Sequence, residues 1–136
     1  MIDKEIIKIA SNTTNHGMIH GHTHFSKLKN SICGDQMKIY LIVKNDKITN
    51  FKYECESCIY CQASVSLLSR KSKNKSTQNI ETLTEQAKKS FEKGKNYFDN
   101  EWKEFDKIIN KNNISRMECL MLPINATLDA LRKKKL

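Results

Sequence analysis

Four glycines in 136 residues are too few to build the glycine-rich loop that cradles a nucleotide phosphate, and neither a nucleophile elbow nor an H-E-x-x-H zinc helix occurs. No apolar run approaches the roughly 18 to 20 residues that cross a bilayer, which sets membrane insertion aside. The chain opens Met1-Ile2-Asp3-Lys4-Glu5, without the basic, apolar and small-residue order of a secretory signal. Its five cysteines are an odd number, so the expectation is reduced thiols in a cytoplasmic compartment. Acidic residues are also scarce, 15 against 24 basic ones, for a net charge of +9. No aromatic residues interleave the clusters at Lys71 to Lys75 and Lys133 to Lys135, and no nucleic-acid motif accompanies them. A solvated, lysine-rich surface therefore explains the charge better than a nucleic-acid partner, although an acidic protein could use it equally well.

A chain of this length builds one core, so residues 1–136 read as a single domain. Ile2, Ile6, Ile7 and Ile9 suggest a helix over 2–10, which opens an N-terminal part, 1–28, that also carries a histidine-rich segment. Met37 to Lys44 and Lys47 to Glu54, joined by Asn45-Asp46, predict a β-hairpin. Ala63, Val65, Leu67 and Leu68 suit a helix of about three turns after Cys58. A polar loop over 71–80 precedes a helix from Ile80 to Lys93. Phe98, Trp102, Phe105, Ile108 and Ile109 mark a further apolar helical face, and Ile124, Leu128 and Leu131 one in a helix from Leu120 to Leu131. Strands followed by a block of helices indicate an α+β fold, a small antiparallel β-sheet packed against several helices.

The chemistry lies in the cysteines. Cys33-Gly34-Asp35 places a thiol beside a residue that lets the backbone turn and a carboxylate that can reach the same metal. Cys58 stands one residue before a predicted helix, whose unpaired N–H groups and positive end favour a thiolate. Cys119 is expected where the last helix begins, with Pro123 in its first turn. Cys55, Cys58 and Cys61 form a C-x2-C-x2-C run of the kind that holds a ferredoxin cluster. A helix starting at Cys58 would, however, turn Cys61 about 300° away from it. The run can instead be free thiols beside one ligand. His20, His22 and His24 would share one face of an extended strand and could take a metal, or simply be exposed. A protease dyad of Cys33 with His22 or His24 would rest on composition alone.

Three contexts in order, Asn30-Ser31-Ile32-Cys33-Gly34-Asp35, then Tyr53-Glu54-Cys55-Glu56-Ser57-Cys58 with Ala63-Ser64-Val65-Ser66, then Arg116-Met117-Glu118-Cys119 with Leu122 and Ala126, resemble the IscU/SufU (NifU N-terminal-like) iron–sulfur cluster assembly family. The 61 positions from Cys58 to Cys119 look like the longer SufU-type interval. The Leu-Pro-Pro-Val-Lys motif of IscU-type scaffolds is absent, Glu118 stands in place of their histidine, and Arg116 is similar to a SufU-type arginine. Cys55 and Ser57 depart from the usual glycines, Ser31 from the usual proline and Cys61 from a common serine.

The resemblance implies a metal site of Cys33, Asp35, Cys58 and Cys119 for zinc or iron, with a transient Fe-S cluster as cargo. Cys33 would be the sulfur acceptor, Asp35 the exchangeable ligand and Arg116 a partner-facing or supporting cation. The implied partners are a SufS-type cysteine desulfurase and recipient apo-Fe-S proteins. At most the chain would be a zinc-dependent sulfurtransferase-type acceptor, otherwise a non-enzymatic scaffold. Two other readings stay open at this point. One is an electron-transfer protein using Cys55, Cys58, Cys61 and Cys119; the other is a basic nucleic-acid-binding module with structural zinc.

Overall fold

The computed structural model describes residues 3–133, so the expectations placed on Ile2, Lys134 and Lys135 lie outside the described residues. The first helix, α1 (Lys4–Ala10), starts at Asp3, whose carboxylate accepts the Glu5 N–H, and buries Ile6 and Ala10. Three antiparallel strands follow in the order β1 (His24–Lys29), β2 (Gln36–Lys44) and β3 (Lys47–Glu56). The β2–β3 hairpin turns at Asn45 and Asp46, both with positive φ (52° and 61°), as a type I′ turn requires. Met37, Ile39 and Leu41 recur at period two and are all fully buried, which puts one face of β2 on the core.

Strand β1 escapes a periodicity reading because its most buried position is Ser26, whose hydroxyl donates to the Ala126 carbonyl. At the opposite edge the segment around His16 covers β3: the Gly17 N–H donates to the Tyr53 carbonyl and the Tyr53 N–H to the Asn15 carbonyl. Both free edges of the hairpin are thereby paired, which blocks edge-to-edge association there.

Helices α2 (Ile59–Lys71) and α4 (Met117–Arg132) pack together and on the sheet, α1 packs on α2, and α3 (Thr77–Lys93) packs on α4. Helix α3 begins three residues before the predicted Ile80, because Ser76 and Asn79 form a reciprocal capping box. The polar loop expected over 71–80 is correspondingly shorter. Its Asn74 N–H and Lys75 carbonyl bond to the backbone of Ile48.

Between α3 and α4 the expected amphipathic helix is a 3₁₀ segment, Asn100–Lys107, followed by a second, Lys111–Arg116. Trp102, Phe105 and Ile108 recur every third residue and are all fully buried, the periodicity of a three-residue turn rather than of an α-helix. Among the described residues no helix is long and apolar enough to cross a membrane.

Candidate metal centre

The loop joining β1 to β2 carries the first cysteine, and its shape follows from its own sequence. Asn30 is buried, its Oδ1 accepts the Ile32 N–H at 2.9 Å, its N–H donates to the Asp35 carbonyl at 2.8 Å, and its carbonyl accepts the Gly34 N–H at 2.8 Å. Gly34 sits at φ +76°, in the left-handed region that residues with a Cβ avoid. The loop therefore closes on itself and leaves Cys33 exposed while tucking Asp35 inward to 6% exposure.

The other two cysteines come from helix starts. Cys58 is the N-cap residue of α2, and its backbone N–H donates to Asp35 Oδ1 at 3.2 Å. Cys119 is the third residue of α4 and is buried. Helix α4 begins three residues earlier than expected from Leu120, so Pro123 is an interior residue and not part of the first turn. Lacking an N–H, it leaves the Cys119 carbonyl without its helical donor. Arg116, the N-cap of α4, lays its guanidinium 5.0 Å from the centre of the Tyr60 ring on α2. This cation–π contact ties together the two helix starts that bear Cys58 and Cys119.

Cys33, Asp35 and Cys119 form one ligand-grade group, their donor atoms all within 4.8 Å of one another, with the two sulfurs 3.7 Å apart. Asp35 Oδ2 is buried and has no hydrogen-bond partner. A carboxylate held by one oxygen with the other left bare is costly in a folded interior unless a cation or proton completes it. Two sulfurs and that oxygen suit zinc or iron. Cys58 stands beside this group but its sulfur is not inside the 4.8 Å set. Burial pushes the Cys119 thiol up, and the neighbouring Cys58 and Cys33 thiols push it the same way. A cation arriving among these sulfurs would offset the cost of the Cys119 thiolate.

The C-x2-C-x2-C run does not assemble: among the described residues it makes no ligand-grade group. Cys61 is fully buried in the core, where burial pushes its thiol well up. Cys55 lies in β3, half-buried, its thiol raised first by burial and then by Asp35 and Cys58, against a lowering hydrogen bond from Ser57.

The histidine tract is also not the continuous strand expected. Only His24 belongs to β1; His20 lies in a turn. His22 Nδ1 contacts the Ile19 carbonyl and its ring packs on Phe25 and Tyr40, and His24 Nδ1 meets Thr23 Oγ1. His24 opens β1 while Cys33 follows its far end, a strand's length of roughly 16 Å away at 3.3 Å per residue, which rules out the dyad. Asn30 and Tyr60 are contributors whose roles sequence reading missed. Asn30 left one signal, an Asx turn two residues before Ile32; Tyr60 left none.

Over 134 residues, 98% of this chain and 94% of the relative, the sequence is 28% identical to the iron–sulfur cluster assembly scaffold protein IscU of Thermotoga maritima. The structure superposes on the N-terminal NifU-like protein of Brucella abortus with a TM-score of 0.87 at 18% identity, covering 96% of this chain and 91% of that one. It matches the SUF-system cluster assembly protein FiSufU of Fervidobacterium islandicum AW-1 with a TM-score of 0.86 at 24% identity, covering 96% of each. Those two likenesses establish the fold. Since the model of the NifU-like N terminal domain matches residues 1–102, the chain belongs to that family.

Proposed function

We propose that this protein serves iron–sulfur cluster biogenesis, accepting sulfur from a cysteine desulfurase and holding a nascent cluster before delivery to apo-proteins. The observation that carries the reading is the convergence of Cys33, Asp35 and Cys119 at one point, with a bare carboxylate oxygen. Cys33, Asp35 and Cys119 are the proposed ligands, and Cys58 the fourth, entering by a side-chain rotation at the helix cap. A metal held there supplies charge that stabilises the thiolates.

The exposed Cys33 is the proposed sulfur acceptor. Its thiolate attacks the outer sulfur of a desulfurase persulfide; that sulfur's bond to the desulfurase breaks, and the desulfurase leaves as thiolate. Asp35 is the ligand proposed to exchange, since it is the single oxygen among sulfurs. Arg116 is proposed to fix the spacing of the two helix starts through Tyr60. We place the chain on the SufU side, with a SufS-type partner in the cytoplasm and zinc as the resting metal. The support is the Cys58–Cys119 interval, the absence of the Leu-Pro-Pro-Val-Lys motif and Glu118 before the last cysteine.

Protein purified without air, with metal analysis and an absorption spectrum before and after iron, cysteine and a desulfurase are added, tests this. One tightly held zinc and faster desulfurase turnover support a sulfur acceptor. A brown chromophore that passes to an apo-ferredoxin supports a scaffold. A protein that binds neither metal nor cluster and leaves the desulfurase unaffected refutes both.

A further inference from the structure

Cys33 and Cys119 differ in one respect that matters for their reactivity toward each other. Their sulfurs are already in contact at 3.7 Å across 86 positions of sequence, yet one thiol is exposed and the other buried. We propose that this pair is a redox modification site: in the metal-free protein, peroxide converts it to a reversible disulfide that closes the centre to metal. The inference rests on the proposed metal site only in that bound metal is what protects the pair.

Closing from 3.7 Å to the roughly 2.05 Å of a disulfide requires one side to move by under 2 Å. Cys119 is itself buried in the first turn of α4 and is followed by buried residues, whereas Cys33 is exposed in a loop next to Gly34, so the loop side moves. The exposed thiol also reacts first. The Cys33 thiolate attacks one peroxide oxygen, the O–O bond breaks and hydroxide leaves, giving a sulfenic acid. The Cys119 sulfur then displaces the hydroxyl from that sulfenic sulfur and the S–S bond forms. Across both steps two thiols lose two electrons and two protons, and one peroxide becomes two waters. Cys119, shielded from bulk reagents by burial, acts as the resolving thiol.

The consequence is a centre with two exclusive states. Loaded, both sulfurs are held by the metal and screened from peroxide, and Cys33 acts as a nucleophile only when it leaves the metal to take up sulfur. Empty and oxidised, both are committed to each other, and neither metal nor persulfide sulfur can be taken up until a small thiol reduces the bond. Cys33 is thereby spared the irreversible steps to sulfinic and sulfonic acid that an isolated exposed thiol undergoes.

The test treats full-length protein, stripped with a chelator under inert gas, with one equivalent of hydrogen peroxide, in parallel with a zinc-reconstituted sample of measured zinc content. Peptide mapping by mass spectrometry and thiol counting are the readouts. The expected result is a Cys33–Cys119 cross-linked peptide and a loss of two of the five thiols in the stripped protein, both reversed by dithiothreitol. The zinc-loaded sample should keep all five, and Cys55→Ser should give the same cross-link as the parent. A dominant cross-link through Cys55, Cys58 or Cys61, sulfinic acid at Cys33 with Cys119 free, or equal thiol loss with and without zinc would each overturn the proposal. Failure to take up any zinc would instead count against the proposed function, and the stripped sample reports on the disulfide independently of it.

Discussion

At the residue scale, the centre depends on side chains that never touch a metal. Asn30 makes three hydrogen bonds within its own loop, and one of them is through its side chain. Asn30→Ala removes that bond and frees Cys33 to wander, so zinc affinity should fall on the order of tenfold, the usual effect of losing a residue that orients ligands, while the fold survives. Competition with a chromophoric chelator measures this. Gly34 was legible as a turn beside a thiol; the closure by Asn30 was not, because an asparagine before a cysteine signals a turn without saying what the turn holds.

Tyr40 gives a pH dependence at the same scale. Burial, and then the hydrogen bond its hydroxyl donates to Glu54 at 2.6 Å, raise it from the ordinary value of 10.0 to about 12. The folded protein therefore holds this proton more tightly than the unfolded chain does. The stabilisation is complete below pH 10 and is lost as the pH rises toward 12. Urea unfolding midpoints should fall across that window, and Tyr40→Phe should flatten the decline.

At the element scale, the helix starts decide the geometry. The capping box of Ser76 and Asn79 fixes where α3 begins, and Ser76→Ala should cost about 1 kcal/mol in a denaturant titration, as caps of this kind do. Asn79 takes the position usually filled by Glu or Gln, so the sequence does not announce the box and its polar loop reads longer than it is. In α4 the interior Pro123 hid the true start, since a proline ordinarily marks the first turn. The Arg116–Tyr60 stack joins the two cysteine-bearing starts. Tyr60→Leu keeps most of the apolar contact but removes the quadrupole, so zinc affinity should drop a fewfold with little change in unfolding midpoint.

At the scale of the whole molecule, β1, β2, α2 and α4 must all be in place before Cys33, Asp35, Cys58 and Cys119 can approach one another. Metal that binds this assembled state and not the unfolded chain stabilises it by mass action. Stripping zinc should therefore lower the melting temperature, by an amount that grows with the zinc concentration used for comparison. Scanning calorimetry at two zinc concentrations checks it. Part of the basic surface is organised too: Lys71 at the end of α2 pairs with Glu104 at 2.8 Å and Lys75 in the following loop lies 3.8 Å from Glu101, so two cations of the 71–75 cluster face carboxylates of the 3₁₀ segment.

The sequence alone determined what depends on local order: the hairpin and its Asn45-Asp46 turn, the helix after Cys58, the α+β class, and three cysteine contexts specific enough to point to a family. These are legible because side-chain periodicity and turn chemistry are set by neighbours a few residues apart. Tertiary structure decided the rest. Ser26 makes a buried strand only because the Ala126 carbonyl, 100 positions away, accepts its hydroxyl. The contact of Cys33 with Cys119, the burial of Cys61 outside the group of Cys33, Asp35 and Cys119, and the bare oxygen of Asp35 exist only once distant segments pack, since distances across a fold are fixed by packing and not by spacing along the chain.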